Sequence, residues 1–190
     1  MRTHLSLLFV ALLCPSLLAE PAGFLNKLLP RAHAASADAQ IPLPEVYFSP
    51  KGGCTEAVVR TLAEARQTIL VQAYSFTSAP IAAALVDASR RGVRVEAVLD
   101  KSNKTGRYSE ADFLVNSQIP SWIDDRHAIA HNKVMVIDNN TVLTGSFNFT
   151  KAAEENNAEN LLILRSPELA ARYTANFLEH RNHSTPYSGR

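Results

Sequence analysis

The feature that most limits what this chain can fold into is the alternation of short apolar runs with amphipathic stretches between Val46 and Leu99. Val46 to Phe48 reads as a strand closed by Ser49-Pro50 and Gly52-Gly53. Thr55 to Arg66 carries Val58, Val59, Leu62 and Ala65 at helical spacing. Thr68 to Ala73 is a β-branched run of the kind that forms a buried strand. A second helix starts at Pro80, which suits a first turn, and ends at Arg91 ahead of Gly92. Val93 to Leu99 alternates as a strand. This β-α-β-α-β order predicts an α/β fold with a mixed sheet sandwiched by helices.

The rest of the chain continues the pattern more loosely. Lys101 to Gly106 reads as polar loop, Ser109 to Val115 as a short helix and Trp122-Ile123 as a short strand. Asn132 to Ile137 and Thr141 to Gly145 read as paired strands, and Leu161 to Leu164 as another after the polar stretch Lys151 to Asn157. A terminal helix is capped by Ser166, opens with Pro167, and carries Leu169, Tyr173, Phe177 and Leu178 as its apolar stripe. No internal repeat is visible, so one domain with one copy of each motif is expected.

That domain is expected to span residues 38–190, behind a leader over 1–37. Arg2 and His4 precede a 14-residue apolar run, Leu5 to Leu18, which is short of the ~20 residues a membrane-spanning helix needs. A signal peptide is expected, cut after Ala34, after Ala37, or nearer the apolar run after Ala19. The alternative is an uncleaved anchor, which Pro15 disfavours. The protein is expected to be exported, periplasmic or secreted, with no stable membrane insertion after cleavage. Cutting after Ala37 removes three of the 19 basic and one of the 18 acidic residues, so the formal charge goes from +1 to −1. Any polyanion must therefore be met by a local patch. Two cysteines exclude a disulfide framework and a four-thiolate zinc site. Cys14 leaves with the leader, and Cys54 reads as a small buried residue at a helix start.

The hairpin from His131 to Asn148 carries the chemistry. His131 and Lys133 are two apart on a strand and so share a face, about 7 Å apart. Placing a two-residue turn at Asn139-Asn140 pairs Asp138 with Thr141. Lys133 then lies opposite Ser146, and His131 opposite Asn148, with Cβ atoms ~5 Å apart. An imidazole, an ammonium, a hydroxyl and a carboxamide would meet on one patch, which suits a tetrahedral oxyanion. Gly145 would allow close backbone approach there. Asp138 reads as structural, closing its turn by bonding its own backbone.

These residues resemble the phospholipase D superfamily motif, His-x-Lys-x4-Asp-x6-Gly-Ser followed by an Asn two positions after the Ser. The flanking segments Ala73 to Ser78, Asp100 to Asn103, Asp125 to His127 and Gly145 to Thr150 look like the small bacterial Nuc-type endonucleases of that superfamily. The resemblance covers most of Val46 to Phe177. It implies two-step chemistry, in which one His forms a phosphohistidine while a second protonates the leaving oxygen and then activates water. It also implies that Glu159 hydrogen-bonds the catalytic His.

Other residues have weaker claims. Lys101, Lys104 and Arg107 form a basic loop, and Arg126 and Lys151 flank the hairpin; they are phosphate-tracking candidates or ordinary solvated charges. Tyr74 and Phe76 read as core rather than groove wall. His127 and His131 are four apart, but on a strand lie ~13 Å from each other, so no metal pair is expected there. No cofactor and no metal are expected. One motif per chain implies a homodimer sharing one site. The leading expectation is a metal-independent, non-specific endonuclease acting on DNA, with RNA open as a second polymer. The alternatives are a phospholipid phosphodiesterase and a catalytically silent nucleic-acid-binding domain.

Overall fold

The structure, a computed structural model, describes residues 43–190; the leader read over 1–37 lies outside the described residues. Among the described residues there are eight strands: β1 (Glu45–Ser49), β2 (Thr68–Ala73), β3 (Arg94–Asp100), β4 (Ser121–Asp124), β5 (Lys133–Ile137), β6 (Thr141–Gly145), β7 (Glu159–Arg165) and β8 (Thr185–Tyr187). They form one mixed sheet in the order β1-β7-β6-β5-β2-β3-β4-β8. The helices are α1 (Cys54–Glu64), α2 (Ala79–Arg90), α3 (Ser102–Thr105), α4 (Ala111–Asn116), α5 (Lys151–Glu155) and α6 (Pro167–His183).

The sheet is covered on both faces, as expected. Ile69, Val71, Ala97, Leu99, Met135 and Leu143 pack against Val58 and Leu62 of α1 and Ile81 and Leu85 of α2. Leu70, Val98, Val134, Val136 and Val142 face the other way, onto Ala170 and Phe177 of α6. This two-sided burial explains why β2 and β5 read as nearly continuous apolar runs rather than alternating ones. Leu178 is 38% exposed and lies outside the helix stripe that the sequence assigned it.

Two helix starts are capped by side chains, one locally and one from a distance. The Ser166 hydroxyl accepts the Leu169 N–H at 3.2 Å, which starts α6. The start of α1 is held from a distance: the Glu154 carboxylate accepts the N–H groups of Gly53 and Thr55 at 3.1 and 2.7 Å. Cys54 is fully buried beneath it, and burial first, then the charge of Glu154, pushes its thiol up to about 11. It is the inert core residue that the sequence suggested.

Strand direction sets the site. β3 is parallel to β2, β4 is parallel to β3, and β5 runs antiparallel to β2, followed by antiparallel β6 and β7. The carboxyl ends of β2, β3, β4 and β6 and the amino ends of β5 and β7 therefore share one rim of the sheet, an edge made of strand ends rather than of the outer strands β1 and β8. That edge carries Tyr74, Lys101, His131, Lys133, Ser146 and Glu159. Ligands in α/β sheets are commonly met at such an edge.

Candidate active site

The hairpin register differs by one residue from the expected one. Ile137 pairs with Thr141, Val136 with Val142 and Met135 with Leu143. Asp138 and Asn139 both have left-handed backbone, with φ of +52° and +50°. The Asn140 N–H donates to the Ile137 carbonyl at 3.0 Å, so the turn centres on Asp138-Asn139 rather than Asn139-Asn140. The cause lies outside the hairpin. The Asp138 carboxylate accepts the backbone N–H groups of Arg66, Gln67 and Thr68 at 2.9, 2.8 and 2.9 Å. Burial pushes this carboxyl up, and the three N–H donors outweigh that effect and hold it below its ordinary value. Asp138 is structural, but it fastens the α1–β2 loop to the turn instead of closing its own backbone.

As a result Lys133 does not sit directly across from Ser146, nor His131 from Asn148. The β5–β6 ladder ends at Met135 and Leu143. Beyond it the chain is gathered onto β7 by Asn160. The Asn160 carbonyl accepts the Phe147 N–H at 3.1 Å, while its backbone N–H and side-chain amide donate to the Ser146 hydroxyl at 3.0 and 3.4 Å. Gly145, at φ +148°, is required here, because a Cβ would lie 2.3 Å from the Asn160 carbonyl oxygen. Asn160 was not singled out in the sequence; its only signal was its place beside Glu159. It is a positioning residue for Ser146.

His131 lies just before β5 and is exposed, whereas Lys133 is buried, 7% exposed. The Lys133 ammonium donates to the His131 carbonyl at 3.0 Å. It also sits 4.9 Å from the Tyr74 ring centre, and the His131 ring lies 4.5 Å from the same ring. Tyr74 is therefore a wall of the site rather than core, which corrects the sequence reading; Phe76 is core, fully buried. Burial pulls the Lys133 ammonium below its ordinary value, opposed by the nearby negative charge of Glu159. The Glu159 carboxylate accepts from the Asn157 side-chain amide at 3.1 Å. No hydrogen bond from Glu159 to His131 is formed among the described residues; the carboxylate faces Lys133 through space. Asn148 has a buried side-chain carbonyl without a hydrogen-bond partner among the described residues.

The approach to His131 is braced independently. Asp100 accepts the Ala130 N–H at 2.8 Å, and the Asn132 carbonyl accepts the Tyr74 N–H at 2.8 Å. Asn103 donates to the Tyr74 and Asp100 carbonyls at 2.6 and 3.1 Å. The segments around Tyr74 and Asp100 thus hold the site together. Of the basic candidates, Lys101 donates to the His127 carbonyl at 3.1 Å, and Lys151 pairs with Glu155 at 3.6 Å on α5. Lys104, Arg107 and Arg126 are exposed. The Arg107 guanidinium lies 5.4 Å over the ring of Tyr108, itself 72% exposed.

The family model described as "Cardiolipin synthase, PLD-like domain" matches residues 58–181. A protein named phospholipase D from Rickettsia bellii is 42% identical over 134 residues, covering 70% of this chain and 67% of its own. One from Rickettsia typhi is 35% identical over 190 residues, covering 91% of this chain and 93% of its own. The mitochondrial cardiolipin hydrolase of Mus musculus is 30% identical over 122 residues, covering 64% and 53%. Among solved structures, Nuc from Salmonella typhimurium, a phospholipase D family member, superposes with a TM-score of 0.74 at 40% identity, covering 76% of this chain and 97% of its own.

Proposed function

The chain belongs to the phospholipase D-like family and is a phosphodiesterase, and from that premise we propose that it cleaves nucleic acid, as a non-specific endonuclease, through a phosphohistidine on His131. The observation that carries the chemistry is the pairing of an exposed imidazole with a buried ammonium at the open sheet edge. Lys133, desolvated under Tyr74, offers its charge to a phosphoryl oxygen in surroundings where charge counts for more than in water. Ser146 and Asn148 are the neutral groups at that edge, and the negative charge of Glu159 favours the charged form of Lys133 against its burial.

In the first step a His131 nitrogen attacks phosphorus and the bond to the leaving oxygen breaks. That oxygen takes its proton from the second imidazole. In the second step this imidazole removes a proton from water, the hydroxide attacks phosphorus, and the bond to His131 breaks. The second imidazole is the partner's His131. Among the described residues the other histidines, His127, His180 and His183, all face Asp124 instead. Phe48 and Ile129, 66% and 57% exposed, flank the edge with apolar surface that a second copy would cover. The roles given to these residues, the homodimer and export are parts of the same proposal.

Two observations favour nucleic acid. Arg107 over the exposed Tyr108 makes a cation–aromatic platform of the kind that stacks bases. Likeness to Nuc extends over nearly all of that protein. A phospholipid substrate is the second reading, favoured by the names of the Rickettsia relatives. The test is to incubate purified protein and its His131→Ala variant with plasmid DNA, RNA and phosphatidylcholine vesicles, with and without brief EDTA treatment. Cleavage of DNA by the wild type only, unchanged by EDTA, is expected. Release of headgroup with intact DNA would replace nuclease by lipase, and an active, folded His131→Ala protein would overturn the site.

A further inference from the structure

A second constellation lies apart from the Lys133 site. Asp124, the last residue of β4, is fully buried. His127 follows it in the loop, and His180 and His183 lie one turn apart at the end of α6. Three imidazole nitrogens converge on one carboxylate oxygen, Asp124 Oδ2: His127 Nδ1 at 2.9 Å, His180 Nδ1 at 2.8 Å and His183 Nε2 at 3.3 Å. The four donor atoms lie within 4.8 Å of one another. The His127 and His180 rings are stacked, with centres 4.9 Å apart, and the His183 ring lies 5.1 and 5.3 Å from them.

Hydrogen bonding alone accounts poorly for this. Asp124 Oδ1 already accepts the backbone N–H groups of Arg126 and His127 at 3.2 and 3.4 Å. His127 Nδ1 is shared between the two oxygens, 3.2 Å from Oδ1 and 2.9 Å from Oδ2, and with His180 and His183 three imidazoles still crowd Oδ2, an oxygen with two lone pairs. A neutral imidazole that does not donate would turn its own lone pair toward the carboxylate. A divalent cation at the centre removes the conflict, because it takes a lone pair from each of the four atoms. The spacing agrees. Ligands ~2.0–2.1 Å from a tetrahedral zinc are separated by about 3.3 Å. The His183–Asp124 distance, 3.3 Å, equals that edge, and the His127 and His180 distances, 2.9 and 2.8 Å, are about 0.4–0.5 Å short of it.

We propose that Asp124, His127, His180 and His183 bind one divalent zinc-class ion in a closed, tetrahedral N3O site. Four protein ligands leave no position for substrate water, so the site is structural. It ties α6 to the end of β4, where β8 then adds its short pairing through Ile123 and Thr185. It does not enter the hydrolysis: His131 is held by the Asp100–Ala130 and Tyr74–Asn132 hydrogen bonds, neither of which involves a ligand. The sequence hint is a pair of short spacings, Asp-x2-His and His-x2-His, separated by more than fifty residues. The His127–His131 spacing, from which no metal pair is expected, shares only His127 with this cluster.

The test uses the full chain without a polyhistidine tag, purified without chelator, and measures metal by mass spectrometry after exhaustive dialysis against micromolar zinc and then metal-free buffer. About one zinc per chain is expected, with cobalt substitution giving the visible d–d bands of tetrahedral coordination. Saturating zinc, at about a hundred times the Kd, should raise the Tm of the stripped protein by about 5–10 °C. His127→Ala, in an exposed loop, and the double variant His180→Asn/His183→Asn should each lose the zinc and the Tm response. Sub-stoichiometric metal in the wild type with no Tm response would overturn the proposal and leave a proton-linked cluster only. Zinc retained at full stoichiometry by both variants would place it elsewhere and equally overturn it. Neither result bears on His131, whose activity is read separately.

Discussion

Asp138→Asn isolates the effect of one charge. Asn accepts left-handed backbone at little cost, so the turn at φ +52° should survive the change. What is lost is the carboxylate that accepts three backbone N–H groups, from Arg66, Gln67 and Thr68. A carboxamide keeps one accepting oxygen and turns an NH2 toward the remaining donors. Hydrogen bonds to a charged group contribute roughly 1.5–3 kcal/mol each, but the exposed Arg66 and Gln67 amides can return to water, so a net loss of about 2 kcal/mol is expected. For a domain of this size that lowers Tm by about 4–8 °C. The pH dependence follows from the same bonds. The folded carboxyl is held below its ordinary value, so its stabilisation is complete above the unfolded pKa of ~3.9 and fades as pH falls through the folded one. Urea unfolding of both proteins from pH 7 to pH 3 measures this. The gap should be full at neutral pH and should narrow below pH ~4. A gap under about 0.5 kcal/mol at pH 7, or one that does not narrow in acid, would refute the reasoning.

Two further substitutions probe the site's construction. Tyr74→Leu removes the ring beside Lys133 and His131 and should lower kcat/KM by roughly tenfold or more, whereas Tyr74→Phe should retain most activity; equal rates for Leu and wild type on the preferred substrate would contradict the wall role. Gly145→Ala should destabilise by about 3 kcal/mol or more, because the new Cβ meets the Asn160 carbonyl and the backbone is left-handed; a wild-type urea midpoint would show that β6 and β7 are not held so closely.

The sequence revealed the covered sheet because β2, α2 and β3 obey local rules: continuous apolar strands, a proline at a helix start, a glycine beyond a helix end. It missed β8, whose Thr-Pro-Tyr carries little strand signal and forms only by pairing with β4. Lys101 to Gly106 reads as loop from its polarity alone, yet α3 forms there as one short turn. His131, Lys133 and Gly145 stood out because their spacing on paired strands is a local property. The one-residue error in register has a different origin. Asn139-Asn140 is a good turn pair on its own, and only the distant loop at residues 66–68 makes Asp138 take the left-handed position. Tyr74 reads as core for a related reason: an aromatic residue following a buried strand looks like core, and only the assembled sheet puts that strand end beside His131 and Lys133. The Asp124 cluster depends on α6 returning to β4, which no local pattern encodes.

The central claim is that one phosphodiester is cleaved between two copies of His131. Wild-type and His131→Ala chains, mixed in equal amounts under conditions that exchange subunits, give about a quarter wild-type dimers. With one shared site per dimer, full-turnover nuclease activity should fall to about a quarter of the wild-type value at the same total protein concentration, following the square of the wild-type fraction. Activity that falls only to about half, in direct proportion to the wild-type chains, would mean that each chain carries its own complete site, and would contradict the account.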